Sequence, residues 1–459
     1  MNINFVPSLS HIALAKIAIQ VSNDPEVRCF EDDLGFPVYL LPSKILETLL
    51  FNLDFSFALS SALLEKLVCL TKPESFNIKQ LFYDRYESLS VVVFSAAASA
   101  KSFREKLCFP LCILHSKKWE KLVKKKVSIY PISANLQEKV ADMVRHVNSE
   151  VEKWFLDHSP ITCRTIDMRN IFIWKSNGSI DRVKTAEVLV KVERLNISKR
   201  FIVASFYCLE GDVISLWNKM TEKEKRRCCD ISSSLVVRIW IKWLQDGEQI
   251  NWRRLAWSSV LNPLGVRCFF LKLRPNSKKS WLAASLRLRT LQNDDLLFCL
   301  SHLDRKRRSK VFEKCASQVL ESFLEWPFQS SFLKMSDYMW NFLKEEEFRN
   351  LLHLILYQKV LVRFGNFDYL QLLKEFWEQS PPEYKEYALK NSLSTPLSTI
   401  IRHKCSKSVL KKELSPSSSV QDYMHFEALG IQFRYFLGGR SPDINSMYLE
   451  INRLRYPRM

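Results

Sequence analysis

Glycine is scarce in this chain, at only 9 of 459 residues. Phosphate-cradling loops and dinucleotide-binding turns need glycine at fixed offsets, because only glycine lets the backbone approach a phosphate closely. Neither G-x-G-x-x-G nor G-x-x-x-x-G-K-[ST] occurs, and the hydrolase signatures G-x-S-x-G and H-E-x-x-H are also missing. We therefore predict a protein that binds rather than catalyses, with no cofactor.

The sequence also lacks a long apolar run. The best candidate, Ser90–Ala98, falls far short of the roughly 18 to 20 residues that cross a membrane. The first twenty residues are amphipathic and have no basic stretch ahead of an apolar core, so no signal peptide is expected. Without secretion, we expect the 12 scattered cysteines to be reduced thiols in a cytoplasmic or nuclear protein.

Two cysteine clusters are the candidates for site chemistry. Cys108, Cys112 and His115 can share one face of a helix, but no C-x-x-C pair accompanies them, as structural zinc usually requires. Cys228-Cys229 follows two arginines that could lower a thiol pKa, yet no histidine partner is evident. Buried helix-packing cysteines explain both clusters better, so we predict no metal site and no catalytic residue.

Positive charge is in excess, with 68 Lys+Arg against 49 Asp+Glu and a net charge of +19. The densest runs are Lys117–Lys126, Lys223–Arg227 and Arg305–Lys310, and each belongs to a helical pattern. Because each run has apolar neighbours in that helical pattern, we interpret these runs as solvated helix faces.

Basic and aromatic residues interleave at Trp252, Arg253, Arg254 and Trp257. Proteins that bind single-stranded nucleic acid use such mixtures. Helical spacing explains the same pattern if the two tryptophans share an apolar face with the arginines outside it. No zinc finger, RNA-recognition motif or KH signature occurs. A basic nucleic-acid-associated helical scaffold is therefore the alternative function, and nucleic acid is not the leading partner.

Helical periodicity dominates the chain, and from about residue 196 a unit repeats. An aspartate is followed by apolar residues four, five and eight positions later and then by a charged turn. The copies begin at Asp212, Asp295 and Asp368, with a degenerate copy at Asp337. Aspartate is a favoured helix N-cap, and intervals of about 30 to 45 residues are typical of helical-hairpin solenoids. The 83 residues between Asp212 and Asp295 would hold two units. We predict an all-α fold of irregular, solenoid-like helical hairpin repeats; generic helices without repeat ancestry are the alternative.

Composition divides the chain into four regions. We predict a helical hairpin or cap over 1–55, a helical region over 56–195 and a helical-repeat array over 196–410. A polar linker and a C-terminal helix, Phe426–Leu437, follow over 411–459. Asn177-Gly178, between two apolar runs, indicates a tight turn.

The N-terminal segment carries the most specific pattern. Ser8-Leu9 is followed by Ala13 and Ile17, which puts a large and a small apolar residue on one helical face. After a loop comes Leu41-Pro42, where the proline suits the first turn of a second helix.

This arrangement resembles the SOCS-box/VHL-box module, in which an elongin C-binding helix precedes an L-P-x-x-[LI] helix that contacts a cullin. It also resembles the helical caps of leucine-rich-repeat substrate receptors that carry such a box. The resemblance implies that Leu9 fills the elongin C pocket, that Ala13 and Ile17 flank it, and that Leu41-Pro42 faces a cullin. An ordinary amphipathic hairpin that caps the repeats is the alternative.

Further along, Lys199–Trp217 (KRFIVASFYCLEGDVISLW) is similar to uncharacterised arthropod helical-repeat proteins, a likeness that implies no activity. Together these features predict a protein-interaction scaffold that serves as a substrate-recognition adaptor of an elongin–cullin ubiquitin ligase. The repeats from about 196 to 391 would hold the target protein.

Overall fold

A computed structural model describes residues 7–34, 39, 90–92, 103–158, 168–231, 234–247, 249–258, 260, 263–288, 290–360, 367–390, 397–398, 401, 422–428, 431–437 and 450–453. The chain divides into two compact units. Unit 1 comprises residues 1–8, 153–344 and 455–459, and unit 2 comprises residues 9–152 and 345–454. This division into two units does not test the predicted division into four regions, which stays a prediction.

Unit 2 begins with helices that pack on one another. They are α1 (Leu9–Ser22), α2 (Pro25–Leu34), α3 (Phe103–Val127) and α4 (Ala134–Asp157), whose last turn belongs to unit 1. Both α1 and α2 pack against α3. Apolar residues of α3 and α4 are buried at helical spacing, among them Trp119, Val123, Val140 and Val144.

Unit 1 is a succession of short helices. In chain order they are α5 (Arg182–Lys191), α6 (Ile197–Phe206), α7 (Glu210–Lys219), α8 (Glu222–Ile231), α9 (Leu235–Asp246), α10 (Trp252–Ser258), α11 (Val266–Lys272), α12 (Pro275–Arg287), α13 (Asn293–Ser301), α14 (Arg305–Phe323) and α15 (Phe332–Met339). Closely packed pairs in this unit are at most three helices apart in the chain.

The later part of unit 2 is also helical. It contains α16 (Glu345–His353), a π-helical segment (Leu354–Val360), α17 (Tyr369–Gln379) and α18 (Pro382–Leu389). Phe348 is fully buried at the centre of this group, with ring centroids of Phe376 and Tyr384 at 5.2 and 5.5 Å.

Helices form the body of both units, which confirms the predicted all-α class. Four short strands in unit 2 add a small antiparallel sheet: β1 (Ser90–Val92), β2 (Asp422–Ala428), β3 (Ile431–Leu437) and β4 (Glu450–Arg453). The strand order is β1-β4-β3-β2, and the register pairs Phe426 with Phe433.

The predicted C-terminal helix is wrong, because residues 426–437 contribute to β2 and β3. In β3, Ile431, Phe433 and Tyr435 alternate with Gln432 and Arg434, and this period of two suits a strand. The many aromatic residues here also favour strands over helices.

The predicted turn at Asn177-Gly178 is confirmed. Gly178 has φ +90°, a conformation that glycine adopts at little cost. Lys175 N donates to Ser179 O at 2.9 Å, and Trp174 forms an isolated antiparallel bridge with Ile180.

The apolar positions predicted for the repeated unit are confirmed by burial. The prediction that each aspartate caps a helix is confirmed only in part. Positions four, five and eight after each aspartate are all buried: Leu216, Trp217, Met220, Cys299, Leu300, Leu303, Leu372, Leu373 and Phe376. Asp368 is the N-cap of α17 and accepts from Gln371 N at 3.1 Å. Asp212 and Asp295 instead lie inside the first turns of α7 and α13, where Asp295 accepts from Arg267 Nε at 2.7 Å.

A backbone geometry recurs where the first helix of a hairpin ends. The C-cap residues Met220, Leu273 and Ser380 have φ/ψ of −72°/139°, −74°/147° and −73°/146°. The N-caps Arg274 and Pro381 directly after two of them are also extended. Two extended residues thus turn one helix into the next without glycine.

The fourth residue after the N-cap of the second helix is basic in several hairpins, and this explains part of the net charge. Three of these cations contact the preceding helix, at a final carbonyl or an aromatic ring: Arg200 Nε to Val190 O (2.6 Å), Lys385 Nζ to Glu378 O (3.1 Å) and Lys278 over the Phe270 ring (5.6 Å). Arg308 Nη2 donates to Leu303 O (2.9 Å), which lies just after the end of the preceding helix. A cation is favourable there because helix carbonyls at the C-terminus carry partial negative charge.

Candidate partner-binding surface

The predicted docking helix presents its motif outward. Leu9 is 86 % exposed, Ala13 is exposed and Ile17 is half-buried. Lys16 and Gln20 are exposed on the same side of α1. We call this side, Leu9, Ala13, Lys16, Ile17 and Gln20, the α1 outer face.

The opposite side of α1 is packed. Leu14, Ala15, Ala18 and Val21 are buried, and α1 lies against α2 and α3. Since the apolar anchoring of the helix uses these four residues, Leu9 is not needed to hold α1 in the fold.

A buried polar network fixes the end of α1. Ser22 Oγ donates to Asn148 Oδ1 at 2.5 Å, and Asn148 Nδ2 donates to Glu31 Oε1 at 2.6 Å. Trp119 Nε1 donates to the same carboxylate oxygen at 2.8 Å. All four side chains are buried, and they join α1, α2, α3 and α4.

Ionic contacts reinforce the same helices. Arg145 donates to Tyr39 O at 3.2 Å, pairs with Glu120 at 2.5 Å and lies 4.8 Å above the Trp119 ring. Burial raises the pKa of Asp142, beside Arg145, to about 6. At the start of α2, the hydrogen bond from Lys126 lowers the pKa of Glu26, and the pair lies 2.7 Å apart.

The other half of the motif, Leu41-Pro42, lies outside the described residues. The surface that would face a cullin therefore has no structural account, and the assignment stays a prediction. The outer face of α1 is the part that can be assessed.

A second exposed group belongs to the segment of the sequence in which basic and aromatic residues interleave. Trp257 is 47 % exposed, and Arg253 and Arg254 are exposed beside it on α10. We expected Trp252 and Trp257 to share an apolar face, with the two arginines outside it. That expectation is therefore wrong. Trp217 and Trp240, in contrast, belong to the core.

Of the cysteine candidates, the structure describes the side chain of Cys228. It is fully buried, with its thiol 3.9 Å from Ser198 O. Burial also raises the pKa of the Cys208 thiol and of the Cys299 thiol, so both stay protonated. The side chains of Cys108, Cys112 and Cys229 lie outside the described part of the chain, and the prediction for them stays a prediction. Among the side chains that are described, no group of three possible metal ligands comes together.

One buried titratable cluster lies in unit 1. His158 stacks on Trp154 with centroids 3.9 Å apart, its Nδ1 lies 2.6 Å from Trp154 O, and its Nε2 lies 2.9 Å from Tyr207 Oη. Burial lowers the pKa of His158 to about 3, so the ring is neutral and both nitrogens are used. Asp157 and Arg182 pair at 2.5 Å beside it. Because the cluster is enclosed, it acts in the fold rather than on a substrate.

No described helix combines the length and the apolar character needed to cross a membrane. The chain matches no protein-family model, no curated protein and no solved structure. Among the described residues, the α1 outer face presents Leu9, Ala13 and Ile17 of the N-terminal sequence pattern.

Proposed function

We propose that the chain is a protein-interaction scaffold that recruits target proteins to an elongin–cullin ubiquitin ligase, without catalysis of its own. The observation that carries this proposal is the 86 % exposure of Leu9 on a helix whose opposite side is buried. A helix that docks in a partner's groove uses exposed apolar side chains as its anchors, and Leu9 beside the small Ala13 is available for that use.

The energetics are favourable for such an anchor. Burying a leucine side chain contributes about 1.5–3 kcal/mol, which corresponds to a ten- to hundredfold change in affinity. The network from Ser22 to Trp119 supports this role, because a helix already fixed in place loses little conformational freedom when it binds.

The rest of the proposal concerns the target. Within each unit, the recurring two-residue junction and the basic residue that follows it support an origin in repeated helical hairpins. A solenoid-like array of such hairpins over 196–391 would offer an extended surface to a target protein. Elongin C, a cullin and this target are the proposed partners, in the cytoplasm or the nucleus.

The test is binding of the purified full chain to the elongin B/C heterodimer by biolayer interferometry. We expect Leu9→Asp to weaken binding at least tenfold and Ala13→Trp to do the same by blocking close approach. Aspartate in the first turn of α1 is compatible with the helix dipole, so the helix should persist.

The matched control is Ile129→Asp. Ile129 is 74 % exposed in the same unit but lies outside α1, so this variant should bind as the wild type does. Equal affinities for wild type, Leu9→Asp and Ala13→Trp, or no binding by the wild type, would contradict the adaptor role.

A further inference from the structure

Helix α10 presents an aromatic ring between two cations. Arg253 and Arg254 lie four and three residues before Trp257, so they flank the indole on one helical face. All three residues are exposed, and Trp257 retains 47 % of its surface. We call these residues the α10 patch.

The patch rests on a fixed support. Leu255 and Ala256, on the other side of α10, are buried. Trp281 Nε1 donates to Ala256 O at 2.6 Å and thereby joins α10 to α12. The indole of Trp257 is thus held outward by a packed helix instead of a loop.

The charges of the patch are available. Within the described part of the chain, neither guanidinium forms an ion pair with a carboxylate. The adjacent Lys272, in contrast, pairs with Glu210 at 2.8 Å and lies 3.9 Å from the Trp252 ring centre. The neighbouring cation is neutralised, while the two arginines keep their charge for a partner.

We propose that the α10 patch binds single-stranded nucleic acid. A base stacks on the Trp257 indole, and the phosphates on either side of that base contact Arg253 and Arg254. Stacking on an aromatic side chain tolerates any base because every base has a π-face, and arginine suits phosphate through its forked donors. The net charge of +19 adds a general attraction for polyanions.

The combination of groups favours nucleic acid over an acidic protein segment. The carboxylates of an acidic segment would pair with the two guanidinium groups, but they would leave the indole of Trp257 without a specific role. In a single strand, each base lies close to phosphates of the same strand, so one segment can contact both the indole and the two guanidinium groups. The α10 patch shares no residue with the α1 outer face, so the two proposals can fail independently.

The experiment measures fluorescence anisotropy of a labelled twelve-residue oligothymidylate with the purified full chain at 50 and 200 mM salt. We expect Arg253→Ala/Arg254→Ala to weaken binding at least tenfold and to reduce the log–log salt slope by about 1.4, since each phosphate contact contributes about 0.7 for single strands. Trp257→Leu should weaken binding about tenfold without changing this slope, and Trp257→Phe should retain most of the affinity.

The matched control, Lys314→Ala/Lys334→Ala, removes the same charge at two exposed lysines on α14 and α15, and it should bind as the wild type does. Equal affinities for the two double variants would overturn the proposal. So would stronger binding of a labelled oligoglutamate peptide than of the oligonucleotide, with the same sensitivity to Trp257→Leu. Leu9→Asp should leave oligonucleotide binding unchanged.

Discussion

Gly265 lies directly against Cys208: a Cβ atom at residue 265 would be 2.7 Å from the Cys208 Sγ atom. The same atom would be 2.8 Å from Phe206 O. Cys208 has φ +54°, in the left-handed region that residues other than glycine rarely adopt. In a chain with so few glycines, this one is required by a close approach to backbone.

We expect Gly265→Ala to lower the free energy of unfolding by about 2–3 kcal/mol, because the contacting groups are backbone and a fully packed thiol that cannot easily move. Gly211→Ala is the control, since a Cβ there meets nothing within 4 Å and alanine favours the helix. Urea denaturation of both variants measures the difference. Equal stability of the two variants would show that the groups around residue 265 move aside to make room for the added Cβ atom.

Asn148 joins α1 and α2 to α4, so its loss should loosen the docking helix. Asn148→Leu removes the hydrogen bonds to Ser22 and Glu31 and should cost about 2–4 kcal/mol of unfolding free energy. Amide hydrogen exchange in α1 should also speed up. Asn135→Leu, at an exposed site on the same helix, should change neither quantity; an unchanged exchange rate in Asn148→Leu would contradict the network's role.

His158 should make unit 1 sensitive to acid. Its pKa is about 3 in the folded chain against about 6.5 when exposed, so between these values the unfolded chain binds more protons. Stability should therefore be complete above pH 6.5 and fall as the pH drops toward 3. His158→Phe keeps the stacking and should flatten this dependence in urea titrations, whereas His302→Phe, at an exposed histidine, should retain it. An equally steep loss in His158→Phe would assign the acid sensitivity to other groups.

The basic start of α14 contains one structural and one dispensable cation. Arg308→Met removes the hydrogen bond to Leu303 O and should cost about 0.5–1.5 kcal/mol. Arg305→Met, at an exposed first-turn position, should be neutral or slightly stabilising because cations oppose the helix dipole there. Thermal denaturation distinguishes the two variants, and the reverse order of stability would refute the junction role of Arg308.

The apolar side of the helices could be predicted from the sequence, and the ends of the helices could not. Spacing alone located Leu216, Leu300 and Leu373 in the core, because burial follows the helical period. The assignment of Asp295 as a cap was wrong, since its partner, Arg267, lies on another helix and is invisible to local pattern.

For the candidate surfaces as well, the sequence predicted which residues share a helical face but not which face is exposed. A face with Leu9 and Ala13 could be predicted from spacing, but its exposure depended on which side of α1 packs. Helical spacing put Trp257 on an apolar face together with Trp252. In a helix as short as α10, hydrophobicity alone does not fix the buried side, and only the contact between Trp281 and Ala256 reveals it.

The short range of helix packing in unit 1 has a kinetic consequence. Because the closely packed helix pairs are at most three helices apart, each pair can form once a short stretch of chain is available, and little loop-closure entropy opposes that step. We expect each hairpin to form against its predecessor while the chain leaves the ribosome. A destabilised hairpin would then delay those synthesised after it and expose apolar surface to chaperones at that stage.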